Sequence, residues 1–274
     1  MYGNRKGAVM NLAKKEFMDN IRSKWVLLVS LLFIGVTLLV SVYETVQPGS
    51  SGGLKSIAMY SSLVITMISI IAIIMGYKTV VNEVESKSIG LLLTSELSRK
   101  DVLTGKLIGL SGVITLSIVG GLGIGGVVVG FNQGFGNVDL YLSYMVMAVL
   151  FGLAYLSISM LMSSLVSRKS RALAGGVFIW IVFNFVWDFI MIGVLMATGW
   201  EMPESVSEVS YPTWYYFGTL FNPNGSFSMT MNRLTGNVGD LPQVMTYPVL
   251  LVALALWIVI PLVIGMIWFH RKDL

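Results

Sequence analysis

Six long apolar stretches fix what this chain can become. They run over residues 25–43, 57–77, 107–131, 140–166, 172–198 and 248–269. Each reaches the roughly 17–25 residues that a helix needs to cross a bilayer. Backbone polar groups must be satisfied inside lipid, and nothing here alternates as a barrel strand would, so the spans are helices. Charged residues make up only 12% of the chain, against about 25% in a soluble domain. The expected fold is an all-α membrane protein with six transmembrane helices. With no cysteine, the chain has no disulfide, zinc thiolate or thiol nucleophile.

Orientation follows from lysine and arginine, which collect on the cytoplasmic side of a membrane. Sixteen of the eighteen lie before the first span, between the second and third, between the fourth and fifth, or in the tail. The opposite side keeps Lys55 and Arg233. Both termini are therefore expected in the cytoplasm of a multi-pass protein of a prokaryotic cytoplasmic membrane. The polar leader is too long for a signal peptide, and no small-x-small cleavage site follows the first span. It reads as a helix of its own over 1–24. Val9, Ala13, Phe17 and Ile21 recur at helical spacing while Lys14, Lys15, Asp19 and Arg22 face elsewhere. Such a basic amphipathic helix is expected in the cytoplasmic interface. The remaining 25–274 form one six-span domain. Its largest outer feature, 199–247, is too long for a plain turn and is expected to be functional or disordered.

Several chemistries are excluded. No G-x-x-x-x-G-K-[ST] motif is present to cradle a nucleotide phosphate. His270 is the only histidine, which argues against a histidine metal site or catalytic triad. "GGLGIGG" imitates a dinucleotide fingerprint, but it lies mid-span with no strand before it. Its glycines suit helix packing instead: Ser117, Gly121 and Gly125 form a small-xxx-small ridge. Asp188 is the ionisable residue well inside a span, with Asn184 one turn earlier as a partner. It is either a polar clasp between helices or part of a substrate or proton route. Met229 and Met231 offer soft thioethers that suit Cu(I), or are ordinary apolar filling. Asn224-Gly225-Ser226 fits a glycosylation acceptor. No feature points to nucleic acid.

Charges concentrate in one place. "NEVESKSIGLLLTSELSRKDVLTGK" (82–106) holds eight of the 32 charged residues between two strongly apolar spans. Ile89 to Leu93 reads as a brief helix, followed by a bend. Ser98 with Asp101 resembles a capping box that opens a helix running into the third span.

This segment resembles the E-x-E-S-x-x-G-x-L-L-L-T-x-x-L-S-R-x-x-x-L-x-G-K pattern of ABC type-2 permeases, the membrane subunits of ATP-driven exporters. Glu83, Glu85, Ser86, Ser88, Gly90, Ser98, Arg99, Gly105 and Lys106 carry the match, while Lys87 and Ser88 stand where the family often has glycine or threonine. "AKKEFMDNIRSKW" resembles the family's leading amphipathic helix. "SRKSRALAGGVFIWIVFNFVWDF" and "LFNPN" are similar to NosY-type permeases, and Asp188 matches an aspartate those proteins carry. After Pro223 the chain departs from them, reading "NGSFSMTMNRL".

The resemblance implies a homodimer working with two copies of a separate ABC ATPase. ATP and Mg would sit on that partner, and this chain would hold no catalytic residue or cofactor. A coupling loop over 78–106 would ride on the ATPase through Glu83, Glu85, Ser88, Gly90, Arg99, Gly105 and Lys106. Asn222 and Pro223 would belong to an outer loop facing a NosD-like extracytoplasmic protein, in copper-site or cofactor maturation. Two alternatives stay open: a transport-silent scaffold that passes ATPase motion to an outer partner, or an exporter of drugs, peptides or lipids. A secondary transporter fits poorly, because no inverted repeat is visible.

Overall fold

The computed structural model describes residues 5–46, 61–85, 98–200, 211–236 and 241–271, and every regular element among them is helical. In chain order these are α1 (Arg5–Ile21), α2 (Lys24–Val46), α3 (Ser61–Gly76), α4 (Val81–Glu85), α5 (Arg99–Gln133), α6 (Val138–Leu165) and α7 (Lys169–Ile181). A π turn (Val182–Val186) follows, then α8 (Trp187–Ala197), α9 (Thr213–Leu220), α10 (Pro223–Thr235) and α11 (Tyr247–Arg271). Six helical segments are long and apolar enough to cross a membrane. They fall where the six apolar stretches lie: α2, α3 with α4, α5, α6, α7 through α8, and α11. The chain is an all-α membrane protein.

Helix α6 forms the centre, with α3, α5, α7, α10 and α11 packed on it. Its Tyr144, Phe151 and Tyr155 are fully buried. The Phe151 ring lies 5.0 Å from that of Tyr155 and 5.1 Å from that of Phe227 on α10, within the range of favourable aromatic pairs.

Helix α5 has 35 residues, about 52 Å at 1.5 Å per residue, well beyond a hydrocarbon core of about 30 Å. Its first turns therefore project past the apolar span. Ser98 starts it with the expected capping box: its hydroxyl accepts from the Asp101 N–H, and the Asp101 carboxylate accepts from the Ser98 N–H at 2.9 Å. Helix α1 docks on this projection. A Cβ added at Gly109 would sit 2.5 Å from the carbonyl oxygen of Ala13, so only glycine lets the two backbones approach this closely. The amphipathic leader thus buries Leu12 and Ala13 against protein. Further along, α5 packs on α2. Ser117 Oγ meets Ser30 Oγ at 2.9 Å, Gly121 abuts Phe33, and Gly125 abuts Thr37 and Ser41.

The segment 199–247 departs from the expectation of a purely outer loop. Helices α9 and α10 form a hairpin that enters the bundle. At its tip the Leu220 carbonyl accepts from Trp257 Nε1 at 3.0 Å. Trp257 lies ten residues inside α11, about 15 Å of helical rise. Asn224 reaches Tyr155, seventeen residues inside α6, about 25 Å by the same measure. The hairpin is re-entrant.

Candidate functional site

The basic end of the bundle gathers the charged residues that flank 86–97. Lys106 is only 4% exposed. Its ammonium lies 2.5 Å from a Glu16 carboxylate oxygen on α1 and 2.8 Å from one of Glu83 on α4. A buried ammonium is tolerated only when paired and hydrogen-bonded, and two carboxylates meet that need. They join three elements: α1, α4 and α5. Helix α4 is placed by Ser163 of α6, whose hydroxyl accepts from the backbone N–H groups of Val80 and Val81 at 3.0 Å each. This supplies from another helix the cap that a first turn lacks. Glu85 turns to α7, where its carboxylate accepts from the Lys169 N–H at 3.2 Å and lies 4.0 Å from the Lys169 ammonium. Arg99 donates through Nη1 to the carbonyls of Phe269 and His270 at 3.0 and 3.1 Å. There a cation meets the last carbonyls of α11, where the helix dipole favours it. Gly105 rests against Leu12 and the Val9 carbonyl of α1. Ser88 and Gly90 lie outside the described residues. Beside the Lys106 cluster, Lys15, Asp19, Lys78 and Asn82 help line a polar cavity of about 430 Å³.

A second polar node lies at the hairpin tip. Asn222 caps α10, its side-chain oxygen accepting from the Asn224 N–H at 2.9 Å. The amides of Asn222 and Asn224 both donate to the Phe183 carbonyl, at 2.7 and 3.2 Å. Phe183 belongs to the π turn, where the Trp187 N–H reaches back five residues to Val182. Such widened turns recur at functional sites. Tyr155 donates to Asn224 Oδ1 at 2.7 Å and lies 3.4 Å from Asn184 Nδ2, which also donates to the Trp180 carbonyl. Asn222 is 1% exposed and Pro223 is buried, so the expectation that they face an outer partner is corrected: they hold the hairpin inside the bundle. Asn224 is likewise bound to Tyr155 and Phe183, which overturns its reading as a glycosylation acceptor.

Asp188 and the two methionines are also placed differently from expectation. Asn184 turns to Tyr155 and Trp180, not to Asp188. Asp188 is exposed on the chain's own surface and has no hydrogen bond or ion pair among the described residues, although a carboxylate near a bilayer centre costs roughly 2.5–3.5 kcal/mol on insertion scales. It clasps none of the described residues. Met229 packs with Tyr216, Met245 and Leu250, and Met231 joins the main core instead. One copper ion cannot take both thioethers in that arrangement. Among the described residues, no cluster of three or more His, Asp or Glu could hold a metal.

The ABC-2 family transporter protein profile matches residues 10–274. The chain belongs to the ABC-2 transporter family. Two relatives match it. A probable ABC transporter permease protein NosY of Pseudomonas aeruginosa is 26% identical over 97% of this chain and 99% of its own. A protein of the same description from Stutzerimonas stutzeri is 27% identical over 69% of this chain and 71% of its own. Membership makes the chain a transmembrane ABC permease subunit in a family that works with an ABC ATPase.

In this ABC-2 permease, the two stems of 86–97 are tied to α1, α7 and α11. Sequence reasoning named Glu83, Glu85, Arg99 and Lys106 but missed Glu16, Ser163 and Tyr155. Glu16 could have been found as the acidic residue beside the apolar face of α1. Tyr155 carries the usual signal of a hydroxyl inside an apolar span, which needs a partner.

Proposed function

We propose that this permease works as a homodimer with two copies of a separate ABC ATPase, and that its basic end is the cytoplasmic end. ATP and Mg are held by the ATPase, and this chain supplies no catalytic group. Residues 78–106 receive the ATPase motion. The observation that carries this reading is the wiring of both stems: α4 through Glu83 and Glu85, and the start of α5 through Arg99 and Lys106. A loop with no mechanical task would need no such ties to three separate elements. Motion there passes to the leading helix, the fifth span and the sixth span at once.

The output is export, or action on an extracytoplasmic protein. The likeness to NosY-type permeases supports the second form, with a NosD-like partner in copper-site maturation. With Asn222 and Pro223 buried, that partner would meet the ends of the hairpin rather than its tip.

A photo-crosslinking amino acid at Ser88 tests the coupling role without cutting any tie within the chain. It is expected to capture the ATPase that co-purifies with the permease, while the same group at Gly236 captures none. Crosslinking from Gly236 but not from Ser88 would reverse the proposal.

A further inference from the structure

Helices α1 and α5 and the join of α3 to α4 enclose the polar cavity of about 430 Å³ beside Lys106, a size typical of small-molecule sites. The apolar stretches fix its depth in the membrane. Lys78 is the first residue after the stretch 57–77, and Lys106 is the last before the stretch 107–131. The headgroup layer of a bilayer is about 5–7 Å thick on each side, so a cavity with both lysines on its wall lies within that layer. Its deeper wall is built. Lys106 is 4% exposed and Asn20 is 6% exposed. Lys106 is spent on Glu16 and Glu83. Asn20 donates through Nδ2 to the Glu16 carbonyl at 2.8 Å, and its Oδ1 is left as an acceptor. Nearer the mouth, Lys15 and Asp19 are exposed and Lys78 is half-buried. These three make no ion pair or hydrogen bond among the described residues.

Charge selects the occupant. Lys15, Lys78 and Lys106 stand on the walls against Glu16, Asp19 and Glu83, so the two signs balance. A purely basic pocket at this depth would take an anionic headgroup. Balanced walls favour a ligand that carries both signs. A divalent cation is a poor occupant, because it needs several oxygen ligands and no acidic cluster is present among the described residues. Water alone fills such a space in a soluble protein, but in this layer zwitterionic headgroups compete with it. A primary ammonium has three N–H groups to donate to carboxylate and amide oxygens, whereas a quaternary ammonium has none.

We propose that this cavity binds a phosphate ester bearing a primary ammonium, supplied as the headgroup of an aminophospholipid. Lys15 and Lys78 hold the phosphate, and Asp19 with Asn20 Oδ1 holds the ammonium. The headgroup then bridges α1 to the α3–α4 join beside the Lys106 bridge, and lipid composition sets the stiffness of that joint. The mechanical consequence rests on the proposed coupling role; the binding itself needs no ATPase.

The test uses the full chain in nanodiscs of equal phosphatidylethanolamine, phosphatidylcholine and phosphatidylglycerol, released into mild detergent and weighed by native mass spectrometry. The ethanolamine lipid is expected to be retained in preference to the other two. Lys15→Gln with Lys78→Gln should lower its retention by about tenfold, the scale of one charge-assisted hydrogen bond. Asp19→Asn should erase the preference over the choline lipid while phosphate binding persists, and it is the decisive variant if the double substitution fails to fold. Lys14→Gln, on α1 but not on the cavity wall, should change nothing. Equal retention of the choline lipid overturns the site, as does preferred retention of the glycerol lipid, retention of none, or retention that ignores Lys15, Lys78 and Asp19. Soluble phosphoethanolamine is expected to displace the lipid only weakly; displacement at matching concentration would make the source the aqueous phase and overturn the lipid assignment. A permease that crosslinks to its ATPase from Ser88 but retains no ethanolamine lipid loses the lipid site alone. One that retains the lipid but meets no ATPase loses the coupling role alone.

Discussion

Lys106 shows how one side chain carries three elements. Its ammonium lies between Glu16 and Glu83, with 5% of the side chain exposed. Removing it leaves two partly buried carboxylates facing each other. Breaking a buried pair by deleting one partner costs about 3–5 kcal/mol, so Lys106→Ala should destabilise the permease by that order in denaturant titrations. The double variant Glu16→Gln with Glu83→Gln should recover part of the loss in that background. Tyr155 is a milder case. Tyr155→Phe removes the 2.7 Å bond to Asn224 but keeps the ring packing on Phe151. Interhelical hydrogen bonds in membranes average about 0.6 kcal/mol and reach about 1.7; the same titration should show a loss within that range. Neither pairing was legible in the sequence. Glu16 and Lys106 are 90 positions apart, and no periodicity joins a leading helix to a third span.

At the scale of elements, the six crossings were readable because hydropathy over twenty residues survives any detail of packing. The hairpin was not. "PNGSFSMTMNRLT" looks like an outer loop because it is rich in Asn, Ser and Thr. In α10 those hydroxyls are satisfied within the hairpin: Thr230 donates to the Ser226 carbonyl, Thr235 to that of Met231, and Ser226 to that of Leu220. Such bonds to preceding carbonyls remove the polarity that a hydropathy scale counts. The π turn left no trace either, since nothing in "VFNFV" distinguishes it from an ordinary helical turn. Docking of α1 on α5 is the element contact easiest to test. Gly109→Leu should force the helices apart at a typical overpacking cost of 1–3 kcal/mol. Gly120→Leu, where an added Cβ meets nothing within 4 Å, should be tolerated. A cysteine at Ala13, which is 3% exposed, should gain reactivity toward thiol reagents in the Gly109→Leu background alone.

For the whole molecule, the charge split of the sequence fixes an expected topology. Cysteines at Ser51 and Gly236 should react with impermeant thiol reagents from outside the cell, and cysteines at Ser88 and Ser170 should react only after permeabilisation. Labelling of Gly236 solely from within would overturn the six-crossing topology. The hairpin also gives the molecule an uneven girth. Among the described residues six helical segments run through one half of the bundle and eight through the other, because α9 and α10 enter and leave on the same side. At a helix diameter of about 10–12 Å, each added segment takes about 80–110 Å² of cross-section. One leaflet must therefore yield more lipid area than its opposite. Lipids of conical shape should relieve that mismatch.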